Sequence, residues 1–142
     1  MSAISLEQAN TIITAALEEG RRVGLKPLTV SVHDAGGHLI AAQRQDGSSN
    51  LRPKVAAGKA VGALALGVSS RTIGAMAAER PSFVASLSGL CEVGPIPVAG
   101  GVIVVNADGE IIGAVGVTGD TSDNDEACAL VGIKAAGLTA QG

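Results

Sequence analysis

Residues 102–126 read VIVVNADGEIIGAVGVTGDTSDNDE, and this stretch decides the fold. Val102–Val105 is a β-branched run suited to a buried strand. Asn106-Ala107-Asp108-Gly109 is built from turn formers, with Gly109 free to take the positive φ that a tight hairpin needs. Ile111–Val117 is a second apolar run, broken by Gly113 and Gly116, and Thr118–Asp125 is a polar, acidic loop. Asp123 followed by Glu126 has capping-box spacing and predicts the start of a helix. A hairpin whose second strand is rich in glycine is also a place where backbone can approach a ligand closely.

The pattern occurs twice. Shifting residues 32–42 by 72 lands them on residues 104–114, so that Asp34 falls on Asn106, Gly37 on Gly109 and Ala42 on Ala114. Both hairpins lead through a polar loop into an alanine-rich helical stretch. Duplication of a ββα unit would explain this, and so would convergence of two short hairpins.

Composition sets the terms for the core. A chain of 142 residues suits one domain, burying roughly 70% of its unfolded surface. Phe83 is the only aromatic residue, so the core must be Ala, Val, Ile, Leu and Gly. Small side chains allow close approach but contribute little area each, which favours further burial in a homo-oligomer. The net charge of −3, without a basic run or stacking aromatics, argues against nucleic acid. No run has the length of a membrane span, and the N-terminus lacks a basic-then-apolar signal, so a cytoplasmic location is expected. Cys91 and Cys128 lack CxxC spacing and read as apolar thiols rather than a disulfide.

Taken in order, Ser5 with Gln8 opens a first helix, and Ala9, Ile12, Ile13, Ala16 and Leu17 form its apolar face. Leu28–Asp34 alternates as a strand, placing Thr29, Ser31 and His33 opposite Leu28, Val30 and Val32. If Ala35-Gly36 is a two-residue loop, His33 and His38 are cross-strand partners about 5 Å apart at Cβ. They are then either a two-imidazole metal or haem-iron site or solvent-facing residues at a hairpin tip. A second helix over residues 54–67 contains Gly58, Gly62 and Gly67, each costing about 1 kcal/mol of propensity relative to alanine, which predicts close packing. Lys59, in its middle, either snorkels to solvent or joins Arg44 in holding a carboxylate. A third helix from Ser69 or Ser70 to Arg80, a turn over 82–87 and a short edge strand over Leu90–Val93 follow. The Gly100-Gly101 pair bends the chain and could present backbone N–H groups to an anion. The last helix is expected over Asp123–Leu138. The order α-ββ-αα-β-ββ-α is that of an α+β fold, a single domain with a five-stranded, mainly antiparallel sheet flanked by helices.

Six short motifs follow one another in the chain: Asp34-Ala35-Gly36-Gly37-His38-Leu39, Arg44-x-Asp46-Gly47, Lys59-Ala60, Pro97-Val98-x-Gly100-Gly101, Gly113-Ala114-Val115-Gly116-Val117-x-Gly119 and Asp125-Glu126. In this order they resemble the GlcG/HbpS haem-binding family, also found as the C-terminal domain of some cobalamin adenosyltransferases. The likeness runs from about residue 5 to residue 138. It implies a five-stranded antiparallel sheet flanked by helices, homo-oligomers, and binding of haem or a related tetrapyrrole, in some members with redox sensing.

Three functions remain open on the residues. A haem module would use His38 as axial ligand, with His33 alongside and Thr118 as an oxygen ligand. An enzyme of the tautomerase, isomerase or hydro-lyase type would bind a small organic acid through Arg44, Arg52 and Lys59. Glycine N–H groups near Gly100-Gly101 or Gly116–Gly119 would then form its anion hole, and His38, Asp120 or Glu92 would transfer the proton. In the third reading, the acidic loop and glycine strand form an oligomer interface.

Overall fold

The computed structural model describes residues 3–142. Helix α1 (Leu6–Arg22) begins with the expected capping box, Ser5 accepting from the Gln8 N–H while the Gln8 side chain accepts from Ser5 N–H. Ile4, just before the cap, is buried in the main core with Ala9, Ile12, Ile13, Ala16 and Leu17.

The hairpin β1 (Thr29–Asp34) and β2 (Leu39–Arg44) is followed by α2 (Arg52–Leu66), α3 (Ser70–Glu79) and α4 (Pro81–Leu87). A second hairpin, β3 (Gly101–Val105) and β4 (Ile111–Thr118), leads to α5 (Ser122–Ala135) and β5 (Thr139–Ala140). All pairings are antiparallel, in the order β2-β1-β4-β3-β5. The expected α+β architecture with five strands is present, but the fifth strand is not Leu90–Val93. That segment is irregular, and Leu90 is 83% exposed. The fifth strand is β5, two residues pairing with Val104 and Val105.

Helices cover both faces of the sheet. Helices α1 and α5 pack on the face carrying Val30, Val32, Val102, Val104, Val115 and Val117. They approach each other closely at Gly132, where a Cβ would lie 3.2 Å from the Ile12 carbonyl carbon and nearer still to its oxygen. Helix α2 covers the other face, seating Ala60 and Ala63 against Ile103 and Ala114. Its seat explains Gly101 of β3 and Gly116 of β4, whereas Gly113 makes room for Ile4 on the opposite face. A Cβ at Gly116 would lie 2.8 Å from the Ala56 carbonyl carbon, and one at Gly101 would lie 2.6 Å from that of Lys59. The helix glycines serve its outer side, where a Cβ at Gly62 would meet Pro95 Cα at 2.6 Å. The glycine-rich strand therefore makes room for a helix of the same chain, and Gly116 lies beneath it rather than at a surface.

The two hairpins do share one construction. Each has a three-residue loop closed by paired backbone bonds, Asp34 N–H to His38 O and Asn106 N–H to Glu110 O. In each, the first side chain, Asp34 or Asn106, accepts from backbone N–H groups two and four residues on. Gly37 and Gly109 take φ of 86° and 80°, and bulges lie between Val32/His33 and Val104/Val105. The correspondence ends with the strands, because the helices that follow lie on opposite faces.

One local expectation changes. The cap of α5 is Thr121, which accepts from Asn124 N–H, whereas Asp123 and Glu126 both grip Arg71 at the start of α3. Cys128 is buried and Cys91 half-buried, both as free thiols, and burial pushes the Cys128 thiol up to about 11. No single helix among the described residues is long and apolar enough to cross a membrane.

Candidate functional site

The three-residue loop moves the two histidines apart. His33 faces Leu39 across the hairpin, and Asp34 pairs with His38. The bulge at Val32/His33 absorbs the extra residue, so the pairing expected from a two-residue loop does not form.

Their environments differ in consequence. His33, 4% exposed, points to the α2 face. Its Nδ1 lies 3.1 Å from Gly37 O, an acceptor only, so Nδ1 carries the proton. The opposite nitrogen, Nε2, then accepts from the Ser31 hydroxyl at 2.6 Å. Burial lowers its pKa, which keeps the ring neutral. Both ring nitrogens are occupied.

His38 stands in solvent, its side chain 81% exposed, with Nδ1 3.2 Å from Asp34 Oδ1. The carboxylate accepts, so Nδ1 donates and Nε2 keeps its lone pair, with no partner among the described residues. This imidazole borders a groove of about 630 Å3 between the two hairpin tips, floored by Ile111 and Ile112 and rimmed by Asp34 and Glu110. Among the described residues, no group of three His, Cys, Asp or Glu side chains is placed to hold a bare metal ion.

The residues expected to bind a carboxylate lie toward the other end of the sheet, and they do not converge. Arg44, at the exposed end of β2, donates to Asn50 Oδ1 at 2.8 Å. Lys59 is buried, donating to Val117 O at 2.9 Å and to Asp125 Oδ2 at 3.1 Å. Burial pushes the Lys59 pKa down and that of Asp125 up, and the mutual attraction opposes both shifts. Lys59 thus neither snorkels nor shares a pocket with Arg44. Arg52, at the start of α2, donates to Thr118 Oγ1 at 2.7 Å, which engages the Thr118 hydroxyl.

The glycine N–H groups are used internally in part. Gly101 N–H donates to the buried Ser70 hydroxyl at 2.7 Å, and Gly100 lies over the Lys59 side chain. Gly119, at φ 143°, lets the loop after β4 pass close to Pro27. Asp120 accepts from Lys26 N–H, Thr121 N–H and Asn124 Nδ2, and these bonds hold its carboxyl down at about 2. That value makes it a permanent anion rather than a proton carrier near neutrality. Glu92 is exposed in the irregular segment before β3.

Sequence reasoning missed the Ser31–His33 bond and the Lys59–Asp125 pair. The first could have been suspected from the alternation that puts both side chains on one face. The second joins residues 66 apart without a local signal.

The haem-degrading HbpS-like family model matches residues 4–134. The chain belongs to that family. No curated protein matches the sequence. Among solved structures, the PduOC–haem complex has a TM-score of 0.87 at 22% identity, covering 99% of this chain and 100% of that one. HbpS has a TM-score of 0.80 at 26% identity, with 94% and 90% covered. Klebsiella pneumoniae ORFY has a TM-score of 0.84 at 24% identity, with 96% and 92% covered. The family resemblance read from the six motifs is thereby confirmed, and haem binding is a property of the HbpS-like family.

Proposed function

We propose that this chain binds haem or a related tetrapyrrole in the groove between the hairpin tips, with His38 as the axial ligand. The observation that carries the reading is the state of the two imidazoles. His33 has both nitrogens engaged, whereas His38 offers Nε2 beside the groove. The Asp34 carboxylate on Nδ1 fixes the His38 tautomer and ring orientation, as carboxylate partners of metal-bound histidines do. Membership of the HbpS-like family and the haem complex of PduOC support this assignment.

The groove is within the usual range for small-molecule sites, about 300–1,000 Å3. Ile111 and Ile112 would offer the apolar contact, and the acidic rim of Asp34 and Glu110 would repel the propionates of a bound porphyrin. The groove is open, and Leu39 beside His38 in sequence is 62% exposed, so a second copy completing the enclosure is part of the proposal.

The test is a haemin titration followed in the Soret region on wild type, His38→Ala and Asp34→Asn. Expected are saturable stoichiometric binding, its loss in His38→Ala and weaker binding in Asp34→Asn. Binding unchanged by His38→Ala would overturn the assignment.

A further inference from the structure

The other end of the sheet carries a second, chemically different pocket. Pairing of Thr29 with Thr118 and of Asp34 with Gly113 marks the two ends of the β1–β4 ladder. Five residue steps at strand rise separate them by about 17 Å. The pocket at the Thr29 end has a volume of about 200 Å3 and is lined by Lys26, Ser48, Ser49, Arg52 and Gly119, with Pro27.

Its charge is unbalanced. Arg52 is half-buried, and its recorded bond is to the neutral Thr118 hydroxyl. Among the described residues, the carboxylates within 4 Å of a basic group pair with Arg22, His38, Lys59 and Arg71, leaving Arg52 and Lys26 without one. Removing a guanidinium from water without a counter-charge is costly. The cost is increased by the neighbouring Lys59, whose pKa is lowered by burial and further by the Arg52 charge. Asp120 relieves it only on the Lys26 side, whose charge its carboxylate attracts from outside the pocket lining; it forms no ion pair with Arg52. The first turn of α2 adds no acidic residue. One hydroxyl is already oriented, Ser48 Oγ lying 2.8 Å from Thr29 Oγ1.

We infer that this pocket binds the carboxylate of a small organic acid, held by Arg52 and Lys26 with Ser48 and Ser49 as hydrogen-bonding partners. With Arg52 Nη1 committed to Thr118, the remaining guanidinium N–H groups are left for a carboxylate, whose planar geometry a guanidinium matches. The volume equals about seven waters at about 30 Å3 each, enough for an acid of a few carbons and too small for a porphyrin. The site is independent of the haem groove, and of the three basic residues in the organic-acid reading of the sequence it keeps Arg52, drops Arg44 and Lys59 and adds Lys26.

The experiment is calorimetric titration of the full chain with malonate and, separately, inorganic phosphate, on wild type, Arg52→Gln, Lys26→Gln and His38→Ala. Expected are saturable malonate binding, weakened about tenfold or more in Arg52→Gln, a smaller loss in Lys26→Gln, and no change in His38→Ala. Lys26 is exposed, so its variant keeps the test available if Arg52→Gln fails to fold. Three results would overturn the inference: no saturation up to about 10 mM malonate, affinity unaffected by both pocket variants, or saturation by phosphate but not by malonate. Loss of haemin binding in His38→Ala with malonate binding intact would separate the two sites.

Discussion

Substituting Gly116 by alanine tests whether the glycine strand is a helix seat or a place of ligand approach. The added Cβ would lie 2.8 Å from the Ala56 carbonyl carbon and 3.2 Å from Ala60 N, both backbone atoms of α2 that cannot rotate aside. Contacts of a Cβ essentially never fall below 3.0 Å, so α2 must lift or the strand must sink, by roughly 1 Å with the carbonyl oxygen counted. A gap of that size forfeits about a quarter to a half of each dispersion contact it opens. The contacts concerned are those of Ala56, Ala60 and Ala63, all fully buried. Overpacking costs typically about 1–3 kcal/mol, and a backbone obstacle puts this case at about 3 kcal/mol. For a domain of this size that corresponds to a fall in Tm of about 10 °C. The assay is urea unfolding at fixed protein concentration, with Gly109→Ala as control. Gly109 has φ of 80° and open space around its Cβ position, so its variant carries only the left-handed strain, about 1 kcal/mol. A Gly116→Ala protein no less stable than Gly109→Ala would refute the packing account.

Lys59→Met leaves Asp125 buried without its counter-charge and is expected to cost about 3–5 kcal/mol in urea unfolding. Adding Asp125→Asn, which keeps an acceptor for Asp120 N–H, should recover most of the loss. For Asp120, the folded carboxyl near 2 lies below the ordinary 3.8. A depressed pKa contributes stability that is present above about pH 4 and is lost as pH falls through 2. Asp120→Asn should therefore make the decline of Tm between pH 4 and 2 shallower. An unchanged slope would show that these bonds do not hold the carboxyl down.

What could be read in advance follows from the range of the interactions involved. The capping box at Ser5–Gln8, the apolar face of α1 and the alternation of β1 are set by residues a few positions apart, and all are as expected. The family motifs were legible because loop glycines such as Gly37 answer to local backbone demands. The burial of Ser31 and His33 was hidden because α2 has no bulky apolar stripe. It binds through alanine and close approach, and composition alone does not say which face such a helix will cover. The sixty-six residues between Lys59 and Asp125 likewise conceal their pairing, and Asp125 in an acidic loop reads as a solvated cap. The fifth strand is two residues long, below what alternation can register.

The Lys59–Asp125 pair also has a mechanical meaning. Helices α2 and α5 lie on opposite faces of the sheet and have no packing contact with each other among the described residues. The ion pair reaches round the end of the sheet and clasps them, with Val117 O as the fixed point between. Peeling either helix away strands a charge against the other, so the two layers cannot loosen separately. Amide protons in α2 and α5 should therefore exchange as one cooperative unit, although a full sheet stands between them.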